Sequence, residues 1–561
     1  MPDPVLHIND LTIKTRTGEM NILDRVNIVV PRGKVTGIVG ESGSGKSITA
    51  LSVMALLPPA LKIHGGRILF YEGEKSHDLI PSKDIKMLHF RGNKISMIFQ
   101  EPLSSLNPSM SCGKQIAEVL MEHTSLRSED RKKKVYGLLE KVELPGTPAF
   151  YHSYPHQLSG GQRQRIMIAM AIAADPALII ADEPTTALDV TVQKKIVHLL
   201  KSLQQSLNIS VIFISHDLRL IGEIADHVVV MRNGQIIEQG SIHQIFQQPE
   251  KAYTRGLLSC LPPLDKKPYR LLTIDEVEKG RLHYPEVKEV KSLSQQEILL
   301  SVKDLEVQFG AKKHFPGRNK RMVKALDRVD LEIRKGETLG VLGESGCGKT
   351  TLGKTILRLI DKPGGEIRYK GKPVSHLKGK ELKSFRKNVQ VVFQDPFASL
   401  NPRMTVRGML TEPMKIHYPG RSQKENLIIA TDLLVKTGLQ EEDLGKYPHE
   451  FSGGQRQRIG IARALTTNPE LIVLDESASA LDVSVQAQIL NLLNDLKEEF
   501  HLSYLFISHD LSIVKYMSDR IIIMREGKIL ETGDASIITR NPATHYTREL
   551  INAVPNPQKS K

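Results

Sequence analysis

A tandem α/β fold, two copies of one domain with a mainly parallel sheet in each, is predicted by three observations. The chain has 561 residues, more than one hydrophobic core usually organises. Its halves repeat one another in order. "LSGGQRQR" at 158–165 returns as "FSGGQRQR" at 451–458, "LIIADEP" at 178–184 as "LIVLDES" at 471–477, and "VIFISHDL" at 211–218 as "YLFISHDL" at 504–511, each 293 residues later. Within each half, short and nearly all-apolar β-branched runs alternate with stretches whose apolar residues recur at helical spacing.

The elements follow in chain order. "KVTGIVG", "ALIIADE" and "SVIFISHD" read as central strands buried on both faces. "RQRIMIAMAIAA" and "QKKIVHLLKSLQQSL" read as helices, so strand and helix alternate as a parallel α/β sheet requires. "GESGSGKS" at 40–47 returns as "GESGCGKT" at 343–350, displaced by 303 rather than 293, which places extra residues of the first half around "YEGEKSHDLIPSKD". Residues 262–297 are rich in charge and proline and weak in periodicity. They read as a linker, with short ordered pieces where it crosses a domain surface. The predicted domains are therefore 1–261 and 298–561.

Composition narrows the function classes. Lys and Arg exceed Asp and Glu by 77 to 63, a formal net charge of +14 that suits nucleic acid, an anionic membrane surface or phosphate ligands as well as a plain solvated surface. Cys112, Cys260 and Cys347 are scattered, which argues against a disulfide framework and for a reducing compartment. No cationic stretch followed by an apolar one opens the chain, and no 18-residue apolar run occurs, so neither a secretory signal nor a membrane span is expected.

The chemistry sits at the repeated motifs. Gly40, Glu41, Ser42, Gly43, Ser44, Gly45, Lys46 and Ser47 fit G-x-x-x-x-G-K-[ST], as do Gly343, Glu344, Ser345, Gly346, Cys347, Gly348, Lys349 and Thr350. Each run follows an apolar strand and precedes a helical pattern. Glycines there let backbone N–H groups surround a phosphate, helped by the positive end of the next helix. Lys46 and Lys349 would neutralise β- and γ-phosphate oxygens of ATP, and Ser47 and Thr350 would ligate Mg²⁺. Asp182 and Asp475 close buried strands and can hold the magnesium shell. Glu183 and Glu476 stand beside them, able to polarise a water for in-line attack. His216 and His509 each close an apolar strand and are expected to meet the γ-phosphate and the attacking water. Ser159, Gly160, Gly161 and Gln162, with Ser452, Gly453, Gly454 and Gln455, open a second anion-binding helix in each half. One γ-phosphate needs wrapping once, so the two halves are expected to face head to tail, each octet capping the nucleotide of the other.

"LSGGQ" before the strand-end acids, together with the phosphate loop and "SHD", resembles the ATP-binding domain of ABC transporters over roughly 5–261 and 298–555. The resemblance implies a P-loop NTPase domain of ABC type, with a helical subdomain, in each half. It also implies two halves that close on ATP and open after hydrolysis. Gln100 and Gln394 match the Q-loop glutamine, a magnesium contact linked to the membrane partner, and Asp189 and Asp482 match the D-loop. Site one would combine Lys46, Glu183 and His216 with Ser452; site two would combine Lys349, Glu476 and His509 with Ser159. The implied metal ligands are Ser47, Gln100 and Asp182 in one half and Thr350, Gln394 and Asp475 in the other.

"QEPLSSLNPSM" and "QDPFASLNPRM", with "AYTRGLLSCLP" and "HYTRELINAVP", resemble the peptide and nickel importer branch more narrowly. That implies import of peptides or related small solutes, chelated nickel among them. The implied partners are two transmembrane permease subunits and an extracytoplasmic solute-binding protein, with the chain peripheral on the cytoplasmic face of the inner membrane. Leu106 and Leu400, in the proline-stiffened loops after the Q-loop glutamines, are expected to line a surface groove for a permease helix. The late cysteine cluster of many members is missing, so no iron–sulfur cluster is expected. An adenine-stacking aromatic is expected at Phe309, with Phe315 as the rival. The matching stretch "LTIKTRTGEM" of the first half has none, so site one would hold adenine more loosely. Ser477 replaces the proline found at Pro184, yet both sites keep their acids. The alternative is a soluble ABC ATPase acting on ribosomes or nucleic acid. The linker mixes signs and three cysteines cannot build two zinc sites, so no nucleic-acid partner is expected.

Overall fold

The computed structural model describes residues 3–80, 87–100, 105–186, 188–263, 266–281, 283–284, 296–310, 323–360, 364–478 and 481–554. Phe315 lies outside these residues, as do 81–84 of the first-half insertion, 101–104 before Ser105, Ala187 and 479–480 of the D-loop matches, and much of 282–295. The chain divides into two compact units. One holds the first repeat through Leu258 with Ile274–Arg281, and the other holds Ser259–Thr273 with the second repeat through Val554.

In the first unit the strands are β1 (Pro4–Thr15), β2 (Asn21–Pro31), β3 (Val35–Gly40), β4 (Leu61–Glu72), β5 (Lys75–Asp78), β6 (Ile95–Ile98), β7 (Leu178–Asp182), β8 (Ser210–Ile214), β9 (His227–Arg232) and β10 (Gln235–Ser241). They form a four-stranded sheet, β2-β1-β4-β5, and a six-stranded sheet, β10-β9-β3-β8-β7-β6. The four-stranded sheet is antiparallel, whereas β6, β7, β8, β3 and β9 are mutually parallel and β10 turns back on β9. Every residue of β3, β7 and β8 is buried, because both faces of a parallel sheet are covered. The apolar face of the antiparallel sheet closes the same core, where Leu6, Ile8, Ile28 and Phe70 meet Ile38, Ile180 and Ile212. Burying each such side chain stabilises by about 1.5–3 kcal/mol.

The second unit repeats this plan with β11 (Ile298–Phe309), β12 (Val323–Arg334), β13 (Thr338–Leu342), β14 (Gly364–Tyr369), β15 (Lys372–Pro373), β16 (Val389–Val392), β17 (Leu471–Asp475), β18 (Ser503–Ser508), β19 (Arg520–Arg525) and β20 (Lys528–Asp534). Its sheets run β12-β11-β14-β15 and β16-β17-β18-β13-β19-β20. Between β6 and β7, and again between β16 and β17, the chain leaves the sheet to build a helical layer. In the first unit its main helices are Cys112–His123, Ser128–Lys141 and Gly160–Ile172. In the second they are Val406–His417, Gln423–Lys436 and Gly453–Leu465, around a separate core containing Met409, Leu410, Met414 and Phe451.

Ordered pieces occur between the repeats. Leu271 and Leu272 are buried on the second unit, where the Asn491 amide accepts from the Leu271 N–H and donates to its carbonyl, both at 2.9 Å. Arg270 grips Asp495 with two bonds of 2.8 Å. The short helix Ile274–Glu278 belongs to the first unit, with Ile274 and Val277 buried.

Candidate active site

The order β3-β8-β7 brings three chain segments to one edge. Parallel strands end on the same side, so the loop after β3, the acids closing β7 and the histidine after β8 line the carboxyl ends of adjacent strands. The order β13-β18-β17 does the same in the second unit.

Each glycine-rich loop turns straight into a helix, Lys46–Val53 or Lys349–Ile356, through Gly45 at φ 101° and Gly348 at φ 108°. Only glycine adopts that geometry without strain. The Lys46 ammonium donates to the carbonyls of Gly40 at 2.9 Å and Glu41 at 2.8 Å, and Lys349 to those of Gly343 at 2.7 Å and Glu344 at 2.9 Å. Both lysines are buried, so the charge is held inside a ring of backbone dipoles at a helix start. Ser47 donates to Asp182 at 3.0 Å and Thr350 to Asp475 at 3.2 Å. Burial pushes the Asp182 carboxyl up to about 6, against the Ser47 bond, with the Glu183 charge adding to the rise. Burial raises Asp475 likewise. A buried carboxylate raised in this way gains from a cation, and a hydroxyl beside it is a hard oxygen donor of the kind Mg²⁺ takes. The residues fit that ion. Among the described residues no three His, Cys, Asp or Glu side chains form a metal cluster of their own, so phosphate and water oxygens would complete such a shell.

The neighbouring glutamates face another set of partners. Glu183 and Glu476 both sit at φ 47°, in the left-handed region that non-glycine residues rarely adopt. Their N–H groups bond the next strand, to Ile214 at 3.0 Å and Ile507 at 2.9 Å. Glu183 lies 3.2 Å from His216 Nδ1 and accepts from Gln100 at 2.9 Å and Thr186 at 3.0 Å. Glu476 lies 3.4 Å from His509 Nδ1 and accepts from Gln394 at 2.7 Å. Burial alone would raise both carboxyls, but the histidine bonds outweigh it and both lie below the ordinary range. Aspartate and glutamate, adjacent in sequence, are thus tuned in opposite directions. The glutamines expected on the magnesium instead hold the glutamates here.

Ser159 and Ser452 cap the octet helices. Each hydroxyl accepts from the N–H three residues on, and Gln162 and Gln455 bond back at 3.0 and 2.9 Å. A Cβ on Gly161 would lie 2.6 Å from Val192, so the helix after Asp189 packs directly on the octet backbone. Asp189 caps that helix through Val192 N–H at 2.9 Å, and Asp482 stands at the same place before Val483–Phe500. Gln193 and Gln486 tie down the preceding turns through Thr185 and Ala478 carbonyls, contacts that the sequence reading missed. Phe309 ends β11 half exposed, and β1 ends on Thr15 instead.

Residues 23–186 and 326–479 match the ABC transporter family, and 237–286 and 530–561 match the oligopeptide/dipeptide transporter C-terminal region. The chain belongs to the ABC transporter family. This ABC ATPase is 42% identical over 574 aligned residues to a glutathione import ATP-binding protein of Escherichia coli O157:H7, covering 99% of the chain and 90% of the relative. It is 41% identical to the protein of that name from Escherichia coli K12, with the same coverage. The Salmonella paratyphi A protein is 42% identical over 546 residues, at 96% and 87% coverage.

One expectation for the ABC ATPase is corrected. Leu106 and Leu400 are each 2% exposed, so neither lines a surface groove. Leu400 plugs the helical-layer core beside Val406 and Met409. In the first unit Gln115 pins the turn after Leu106 through the Asn107 N–H and the carbonyls of Asn107 and Met110. The loops are stiffened to turn an apolar residue inward. The large exposed side chain of the second loop is Phe397, 64% exposed, lying over the Arg456 guanidinium at 3.6 Å.

Proposed function

We propose that both phosphate loops bind MgATP and that its hydrolysis energises import of short peptides of the glutathione class through two permease subunits fed by an extracytoplasmic binding protein. The observation that carries the hydrolysis is the same Gln–Glu–His arrangement in both units, beside a phosphate loop and its serine or threonine–aspartate pair, and the likeness to glutathione import ATP-binding proteins supports the import. Two intact sets favour two working sites over a regulatory module that only binds.

Lys46 and Lys349 would move from loop carbonyls to phosphate oxygens, conserving charged hydrogen bonds. Bound Mg²⁺ would neutralise the β- and γ-phosphate oxygens, with Ser47, Asp182, Thr350 and Asp475 as its protein donors and Gln100 and Gln394 reaching it once they leave the glutamates. Glu183 or Glu476 takes the proton of the attacking water as the new O–P bond forms and the bond to ADP breaks. His216 and His509 orient those carboxylates. The octets of Ser159 and Ser452 would each cap the γ-phosphate of the opposite half. Phe309 would stack the adenine of site two.

Among the described residues no helix is long and apolar enough to cross a membrane. From the likeness to import ATP-binding proteins, the proposed place is the inner membrane's cytoplasmic face, held there by the permeases. The test is uptake of labelled glutathione, a dipeptide and nickel in cells lacking this chain. Selective loss of glutathione uptake, restored by the chain and not by Lys46→Ala with Lys349→Ala, is expected. Unchanged uptake of all three, with the chain recovered on ribosomes, would favour the soluble reading.

A further inference from the structure

Each unit closes with a buried tyrosine that reaches back to its own phosphate loop, and the two do so differently. Tyr253, 3% exposed on the helix Ala252–Ser259, donates its hydroxyl to the Glu41 carboxylate at 3.2 Å. The Arg232 guanidinium lies 4.6 Å from the centroid of that ring and is itself paired with Glu278, on the short helix Ile274–Glu278. Tyr546, 6% exposed on His545–Ala553, accepts the backbone N–H of Glu344 at 3.3 Å and makes no carboxylate bond of that kind among the described residues. Arg525 lies 4.8 Å from its ring and pairs with its exposed neighbour Glu526 at 3.6 Å. Both tyrosines bond the backbone of their loop, and the first also holds an acidic side chain.

Glu41 is an awkward residue in a loop that attracts phosphate. Its carbonyl is 2.8 Å from the Lys46 ammonium, so its side chain originates beside the group that must meet the triphosphate. A carboxylate rotating there repels phosphate and competes for the lysine, and partial burial strengthens both effects. Burial, reinforced by the Glu41 charge, pushes the Tyr253 phenol well above its ordinary range, so the hydroxyl remains a donor at neutral pH.

We propose that Tyr253 is a positioning residue of the first ATP site, tethering the Glu41 carboxylate away from the incoming triphosphate, with Arg232 and Glu278 bracing its ring. The inference rests on the reading of Gly40–Ser47 as a phosphate loop. It assigns the C-terminal tyrosine and the segment after it a role in nucleotide affinity at one site.

The test uses the full chain with Lys349→Ala silencing the second site and a fluorescent ATP analogue titrated into the first. Tyr253→Phe keeps the ring and its cation contact, so the unfolding midpoint should be unchanged. Loss of one charged hydrogen bond should weaken binding about tenfold. Adding Glu41→Gln removes the repelling charge and should restore most of the affinity. A Tyr253→Phe variant that binds as its parent does, or a loss that Glu41→Gln fails to repair, overturns the tether. Binding that survives Lys46→Ala would instead overturn the phosphate-loop reading itself. In the mirror experiment on a Lys46→Ala background, Glu344→Gln should not repair Tyr546→Phe. Repair there would overturn the asymmetry between the units.

Discussion

The side-chain amide of Gln394 donates to the Glu476 carboxylate at 2.7 Å, and Gln100 makes the same bond to Glu183 at 2.9 Å. The glutamine that opens each loop toward the helical layer thus rests on the carboxylate assigned to the water. Replacing both glutamates, Glu183→Gln with Glu476→Gln, keeps the shape and one acceptor oxygen of each but removes the base. ATP binding should persist while steady-state hydrolysis falls by about 10²–10⁴-fold. Turnover at the parental rate would show that the carboxylates do not take the proton.

The octet serines supply a geometric test. Ser452→Arg should abolish nucleotide trapping at the Lys46 loop and Ser159→Arg at the Lys349 loop, because a bulky cation at a helix start displaces a phosphate contact. Photolabelling with an ATP analogue, followed by proteolysis between the halves, assigns the label. Silencing of the loop in the same half would refute the head-to-tail pairing.

Leu400 and Phe397 separate folding from coupling. Leu400→Asp places a charge in the helical-layer core and should cost about 3–5 kcal/mol of stability, read as a large fall in unfolding midpoint. Phe397→Glu, at an exposed side chain, should leave the midpoint and basal ATPase rate nearly unchanged while reducing uptake in cells. Normal uptake in that variant would remove Phe397 from the permease surface.

The Glu476–His509 pair predicts a pH signature. Burial lowers the imidazole, but the Glu476 bond and charge more than compensate, so His509 lies above its ordinary 6.5. Glu476 lies below its ordinary 4.5. The histidine's contribution to stability is complete below 6.5 and is lost as pH rises through its raised value. The glutamate's is complete above 4.5 and is lost as pH falls through its lowered value. Both contributions coexist between these limits. The unfolding-midpoint difference between the parent and His509→Gln should be largest in that window and shrink at alkaline pH. A difference independent of pH would show that no charge pair forms.

The tandem α/β plan was legible because its signals are local and contiguous. Buried parallel strands must be apolar throughout, a phosphate loop needs its glycines within eight residues, and each strand-end acid follows its strand directly. These patterns also made Asp182, Glu183, Lys46 and their counterparts stand out as candidates. Ser159 and Ser452 were legible as helix starts, since a capping serine and the glutamine three residues on form one local unit.

What a side chain faces across the fold was not legible. "SSLNP" and "ASLNP" combine leucine with proline equally well for a surface groove or an inward plug, and only helix packing around Leu400 decides for the plug. Tyr253 and Glu41 are 212 residues apart and Gln100 and Glu183 are 83 apart; neither pairing leaves a spacing that periodicity can detect. The repeated "YTR" was visible as a likeness between the halves, yet nothing in it distinguishes a tyrosine that also bonds a carboxylate from one bonded to a backbone N–H. By itself the sequence determined the central apolar strands, the helices beside the motifs and the glycine-rich turns, because backbone conformation responds to near neighbours, whereas the antiparallel sheet of each unit was not read from it. The tertiary structure alone decided which of those segments meet and what each buried polar group bonds. Such contacts depend on the sheet order and on how the helices pack over it.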